Sequence, residues 1–217
     1  MLNNSKKLVP VGKTHCELHI MSSRFIGSLA YASSVEDARD YVRTIQGEYP
    51  DASHHVPAYI IGHDVTQVTH CSDAGEPSGS AGRPILAVLQ GSGLGDVVVV
   101  VTRYFGGTKL GIGGLVRAYG DTVRKLIAET KRAWKVSAIT MKIEFDYPFV
   151  DRVRSLVASN SGQIRSEGFE VKVNMTAILP LETRENFEHG LSDLTSGTAA
   201  ITKLDAVELL VPIVTGN

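Results

Sequence analysis

Arg103, Tyr104, Gly106, Gly107, Lys109, Gly111, Gly113 and Gly114 share one stretch, VVVVVTRYFGGTKLGIGG from Val97 to Gly114, in which an apolar run gives way to cations, aromatic rings and glycines. Glycine bares the backbone where a chain needs positive φ or where another group must come close. Backbone N–H groups of a glycine-rich strand-to-helix connection, with cations beside them, suit a phosphate or a carboxylate. The same glycines equally serve a tight turn packed on a neighbour. Nucleotide-binding patterns fail frame by frame. Lys109 is preceded by Thr108 and followed by Leu110, so no Walker lysine is in place, and the frame GIGGLV puts Val116 where a dinucleotide fingerprint needs its third glycine. Nucleotide hydrolysis and NAD binding are excluded.

A second constellation gathers His54, His55, His63, His70, Asp73 and Glu76 ahead of a segment rich in turn residues, DAGEPSGSAGRP from Asp73 to Pro84. Imidazoles and carboxylates at a loop mouth supply metal ligands or a general base, the equipment of a hydrolase or metal-dependent enzyme. The spacing holds no H-E-x-x-H, and neither Ser78 nor Ser80 sits in G-x-S-x-G, so no metal or cofactor is expected and a binding role outweighs catalysis. Arg83 closes this segment and Arg117 follows the glycine run, which makes both candidates, with Arg103 and Lys109, for contacts to an anion.

The elements that must position these residues follow from periodicity. Glu17 to Ser33 reads as two strands turning at Ser22-Ser23-Arg24, and Ser34 is a candidate N-cap for a helix carrying Ala38, Tyr41, Val42 and Ile45, which Gly47 and Pro50 end. VPAYIIG and Gln67 to Cys71 are extended stretches, Ile85 to Leu89 opens a helix behind Pro84, and Asp96 to Thr102 is the central strand. Its five valines are apolar towards both faces, as in a strand covered on both sides. Leu115 to Thr130 reads as a helix with Leu115, Tyr119, Val123, Leu126 and Ile127 on one face. From Val136 onward the pattern is strand, helix, two strands turning near Glu167-Gly168, a helix over Glu182 to Leu194 and a final strand. That βαββαβ order is the split βαβ of ferredoxin-like domains. Two domains are therefore expected, 1–135 and 136–217, in an α+β chain.

The 217 residues suffice for such cores, and neither a bilayer-length apolar run nor a signal-peptide pattern is present, which leads to the expectation of a cytoplasmic protein without a membrane partner. Cys16 and Cys71 lack C-x-x-C spacing and read as reduced thiols. The net charge of −1 divides into −1 for residues 1–70 (six Lys/Arg, seven Asp/Glu), +4 for 71–135 (nine, five) and −4 for 136–217 (seven, eleven). A middle segment at +4 favours anionic partners locally, well short of the charge of a dedicated nucleic-acid binder.

Three segments, SRFIG, SDAGEPSGSAGRP and VTRYFGGTKLGIGGLVRAY, resemble the Impact (YigZ-type) family, and the likeness runs from Ser22 to Thr130. It implies an N-terminal fold like the second domain of ribosomal protein S5, followed in bacterial members by a ferredoxin-like domain likened to domain V of elongation factor G. Many members carry Cys-Trp where this chain has Val56-Pro57. Eukaryotic members bind a coactivator of a translation-regulating kinase. The implied function is a translation-linked binding protein for RNA, the ribosome or a translation-associated partner. Arg83, Arg103, Lys109 and Arg117 would meet phosphates and Tyr104 and Phe105 would offer rings, whereas a regulatory protein–protein module would instead show an exposed apolar patch.

Overall fold

The computed structural model describes residues 6–63 and 67–213, so the expected limits 1–135 and 136–217 include ends outside the described residues. Two compact units result, Lys7–Ala133 and a second from Trp134 onward.

In the first unit β1 (Lys7–Pro10) precedes an antiparallel sheet of β2 (Lys13–Ile20), β3 (Ser23–Tyr31), β4 (His54–Ile61), β5 (Val68–Cys71) and β6 (Val97–Tyr104), in the order β2-β3-β6-β4-β5. The helices are α1 (Val35–Glu48), α2 (Gly82–Gly91) and α3 (Gly111–Glu129). β6 is the middle strand, and its valines divide as a strand requires. Val97, Val99 and Val101 join Ile85, Leu89 and Tyr119 on the α2/α3 face, while Val98 and Val100 join Ala38, Tyr41 and Ile45 beneath α1. All five are fully buried, and each face of the sheet has its own core.

Local chemistry sets the ends of these elements. Ser34 caps α1 as expected: its side chain accepts from the Asp37 N–H, and Asp37 accepts from the Ser34 N–H, a reciprocal box that satisfies two orphan donors. Three limits differ from those expected. The β2–β3 turn falls at Met21-Ser22, leaving Ser23 inside β3. The helix after the glycine run starts at Gly111 rather than Leu115, because Gly111 takes φ +71° at its entry and the next glycines accept helical geometry when Leu115 and Tyr119 are anchored below. In the second unit β8 (Gln163–Phe169) runs through Glu167-Gly168 and the turn comes after it, where the Glu170 N–H meets the Lys172 carbonyl.

The second unit also contains β7 (Arg132–Phe145), α4 (Val150–Ser159), β9 (Val173–Pro180), α5 (Arg184–Thr195) and β10 (Ala200–Pro212), in βαββαβ order. β9 lies between β7 and β8, and β10 pairs with β7. Met141, Ile143, Phe145, Met175, Phe187 and Leu191 centre its core.

Candidate functional site

Strand alternation decides the fate of Arg103. It has the parity of Val97, Val99 and Val101, so its side chain turns into the α2/α3 face and is 5% exposed. Nη1 donates to Glu76 Oε1 at 2.7 Å, Nη2 donates to Ser23 Oγ at 3.2 Å, and the Tyr119 hydroxyl donates to the same Glu76 oxygen at 2.7 Å. The guanidinium lies 5.4 Å from the ring centres of both Phe25 and Phe105, a planar cation between two aromatic faces. Burial, followed by the Glu76 carboxylate, pushes the Tyr119 phenol far above its ordinary pKa. Arg103 was expected to meet phosphates and is instead spent on an internal ion pair, since a buried guanidinium needs a carboxylate.

The next turn lies directly over this network. Tyr104 points to the opposite side, where its hydroxyl donates to Asp51 and Arg24 covers its ring, so it is no free stacking platform. Gly106 is glycine for lack of room, because a Cβ there would fall 1.7 Å from the Ser22 carbonyl oxygen. Gly107 takes φ +85°. Gly111, Gly113 and Gly114 form the first turn of α3, whose N-cap Leu110 makes no side-chain cap and whose first turn holds no acid. Lys109 stands exposed beside it.

A cleft of about 340 Å³ opens here, with Glu76 and Arg103 at its base and Pro77, Phe105, Leu110 and Ile112 on its walls. Leu110 also borders a second hollow of about 340 Å³ with Ile20, Met21 and Arg117. Apolar side chains stand open to solvent around both: Met21 is 71% exposed, Ile112 64% and Phe105 48%. Sequence reasoning missed Met21, Leu110 and Ile112. A signal existed, since Ile112 and Val116 are one helical turn apart and off the buried stripe of Leu115 and Tyr119.

The remaining candidates do not converge. Arg117 shares the second hollow with Asp121, and Arg83 is exposed on α2, where its charge helps hold Asp73 ionised. Asp73 itself fills the N-terminus of α2, accepting from the Gly79, Ala81 and Gly82 N–H groups at 2.8, 3.1 and 2.8 Å. The anion that this loop receives is therefore the chain's own carboxylate.

The polar constellation disperses in the same way. His54 donates to the Ala74 carbonyl at 2.9 Å, His55 shares a hydrogen bond with Thr102, His63 meets the Leu8 carbonyl and His70 stacks on Tyr59. Burial holds the His55 imidazole below its ordinary pKa. Ser80 is buried and bonds to the Pro77 carbonyl, Ser78 is exposed, and Glu76 belongs to Arg103. Among the described residues no three His, Cys, Asp or Glu side chains come together to hold a metal. The catalytic cluster anticipated from His54, His55, Asp73 and Glu76 is not assembled, because each of these groups is held by a different partner: Ala74, Thr102, the N–H groups at the start of α2, and Arg103 with Tyr119. No helix among the described residues is long and apolar enough to cross a membrane.

Fold and site together describe a two-unit α+β protein whose glycine-rich turn builds a surface cleft over a buried ion pair. The Impact N-terminal domain model matches residues 21–127, and that of a domain of unknown function, DUF1949, matches residues 143–198. An IMPACT family member of Haemophilus influenzae is 37% identical over 93% of this chain and 98% of its own length, and IMPACT family member YigZ of Escherichia coli is 34% identical over 91% and 98%. A crystal structure titled only as that of a hypothetical protein aligns with a TM-score of 0.61 at 33% identity, covering 92% of this chain and 98% of that one. The chain belongs to the Impact family.

Proposed function

We propose that the protein is a translation-linked binding module that recognises a translation-associated protein in the cytoplasm through the cleft at the start of α3. The observation that supports this is the concentration of exposed apolar side chains, Met21, Phe105 and Ile112, around two adjoining hollows, with Lys109 and Arg117 beside them. Apolar anchors with a polar rim are the layout of a protein interface, whereas a phosphate groove would show converging free cations. The likeness of the first unit to the second domain of ribosomal protein S5, and of the second to domain V of elongation factor G, is part of the same reading.

The test is co-sedimentation of the full chain with ribosomes that retain their bound factors and with salt-washed ribosomes. Retention is expected on the former alone, weakened about tenfold or more by Phe105→Ser with Ile112→Ser, as loss of two interface anchors implies. Retention on washed ribosomes that falls steeply with salt and with Lys109→Ala plus Arg117→Ala would assign the surface to RNA instead. Absence from both preparations overturns the proposal.

A further inference from the structure

The other face of the first sheet carries a separate groove. α1 packs mainly on β6 and β4, and on the edge strand β5 the residues Val68, Thr69 and His70 are left exposed. A hollow of about 270 Å³ lies there, lined by Arg39, Val42 and Arg43 of α1, Pro57 and Tyr59 of β4, and His70 of β5. Tyr59 and His70 are direct cross-strand partners. Their rings are stacked with centres 5.0 Å apart and planes 26° apart, which buries Tyr59 and leaves exposed His70 as the outer ring. Arg39 and Arg43 are one helical turn apart on the wall, so both guanidinium groups reach the same side. On α1, Asp40 pairs with Arg43 where both groups are solvent-exposed, an arrangement that holds little energy and yields readily to a phosphate.

We infer that this groove binds single-stranded RNA, with one base laid on the His70 ring and the flanking phosphates on Arg39 and Arg43. A ring offered face-on reads the face of a base, and two arginines at one-turn spacing match a charged backbone rather than a single anion. β5 is the edge strand, with no further strand beside it among the described residues, and unpaired strand backbone of this kind can bond the 2′-hydroxyl that separates RNA from DNA. This function is distinct from recognition at the start of α3 and occupies different residues.

Fluorescence anisotropy of a labelled octaribonucleotide with the full chain tests it. Binding at low salt is expected, with log K falling against log salt at a slope of about −1.4 for two phosphate contacts on a single strand. Arg39→Ala with Arg43→Ala should weaken it tenfold or more and flatten that slope. His70→Ala should weaken it at least fivefold, and His70→Phe, which keeps a ring stacked on Tyr59, should restore both binding and the melting temperature of the parent chain. Phe105→Ser with Ile112→Ser should leave it within twofold, which separates failure here from failure at the cleft. The inference is overturned by no binding at low salt or by indifference to the Arg39, Arg43 and His70 changes. It is equally overturned by equal affinity for the deoxy octamer, for a duplex, or for an acidic octapeptide.

Discussion

Asp73 occupies the position that a bound anion would otherwise take at the start of α2. Desolvation is the largest single influence on its carboxyl and pushes the pKa up, but three N–H donors and Arg83 together outweigh it and hold the group below its ordinary 3.8. A carboxylate with a depressed folded pKa stabilises the fold fully above its unfolded pKa, and that contribution disappears as pH falls through the folded value. Asp73→Ala should therefore cost about 1–2 kcal/mol near neutral pH, the range of a lost N-terminal cap. The gap between the two proteins should begin to narrow below about pH 4. Urea midpoints measured from pH 7 to pH 2.5 check this, and a gap that stays constant over that range would show that the charge contributes nothing. Nothing in the order of residues told that Asp73 would face Gly79, Ala81 and Gly82 instead of a ligand. The segment Asp73 to Pro84 reads as anion-compatible either way, and only the fold of Ala74, Gly75 and Gly79 through positive φ brings the carboxylate round.

At the scale of elements, the glycine run divides into residues needed for two different reasons and one needed for neither. Gly106 is held against the Ser22 backbone, Gly107 and Gly111 take positive φ, and Gly113 does neither, since a Cβ there meets nothing within 4 Å. Gly106→Ala should destabilise by about 3 kcal/mol, at the upper end of overpacking costs, because the obstacle is main chain and cannot swing away. Gly113→Ala should stabilise by about 0.5 kcal/mol through helix propensity. Thermal melts of the two variants give opposite signs if these assignments hold, and matching signs refute them. The elements themselves were largely legible. Five valines announced a strand covered on both faces, Ser34 announced the start of α1, and the spacing of Leu115, Tyr119 and Val123 announced α3. What periodicity could not supply was the set of partners that Arg103 meets on the inward face. Two residues beyond Val101, it continues the inward register, and a cation next to two aromatics reads as a surface group until Glu76 and Tyr119 arrive from 27 positions before it and 16 after it. Long-range pairing of that kind is set by sheet topology, which no local window contains.

At the scale of the whole molecule, the Glu76 carboxylate ties the Asp73 to Pro84 segment to β6 and α3, all within the first unit. Glu76→Ala leaves a buried guanidinium without its counter-charge and a buried phenol without its acceptor, which should cost about 3–5 kcal/mol. Whether that loss spreads depends on how the cores are joined. The apolar clusters of the first unit draw on Phe25, Leu29, Val99 and Tyr119, those of the second on Met141, Phe145, Met175 and Phe187, and among the described residues none belongs to both. Local stability follows the cooperative unit in which a contact is buried. Hydrogen exchange followed by mass spectrometry should therefore show amides of β3, β6 and α3 losing protection in Glu76→Ala by roughly the full 3–5 kcal/mol, while those of β7, β9 and α5 keep theirs. A parallel loss in both sets would mean that the chain unfolds as one body, and a binding event at the start of α3 would then be felt as far as β9. A loss confined to the first set means that the two units can answer separate partners.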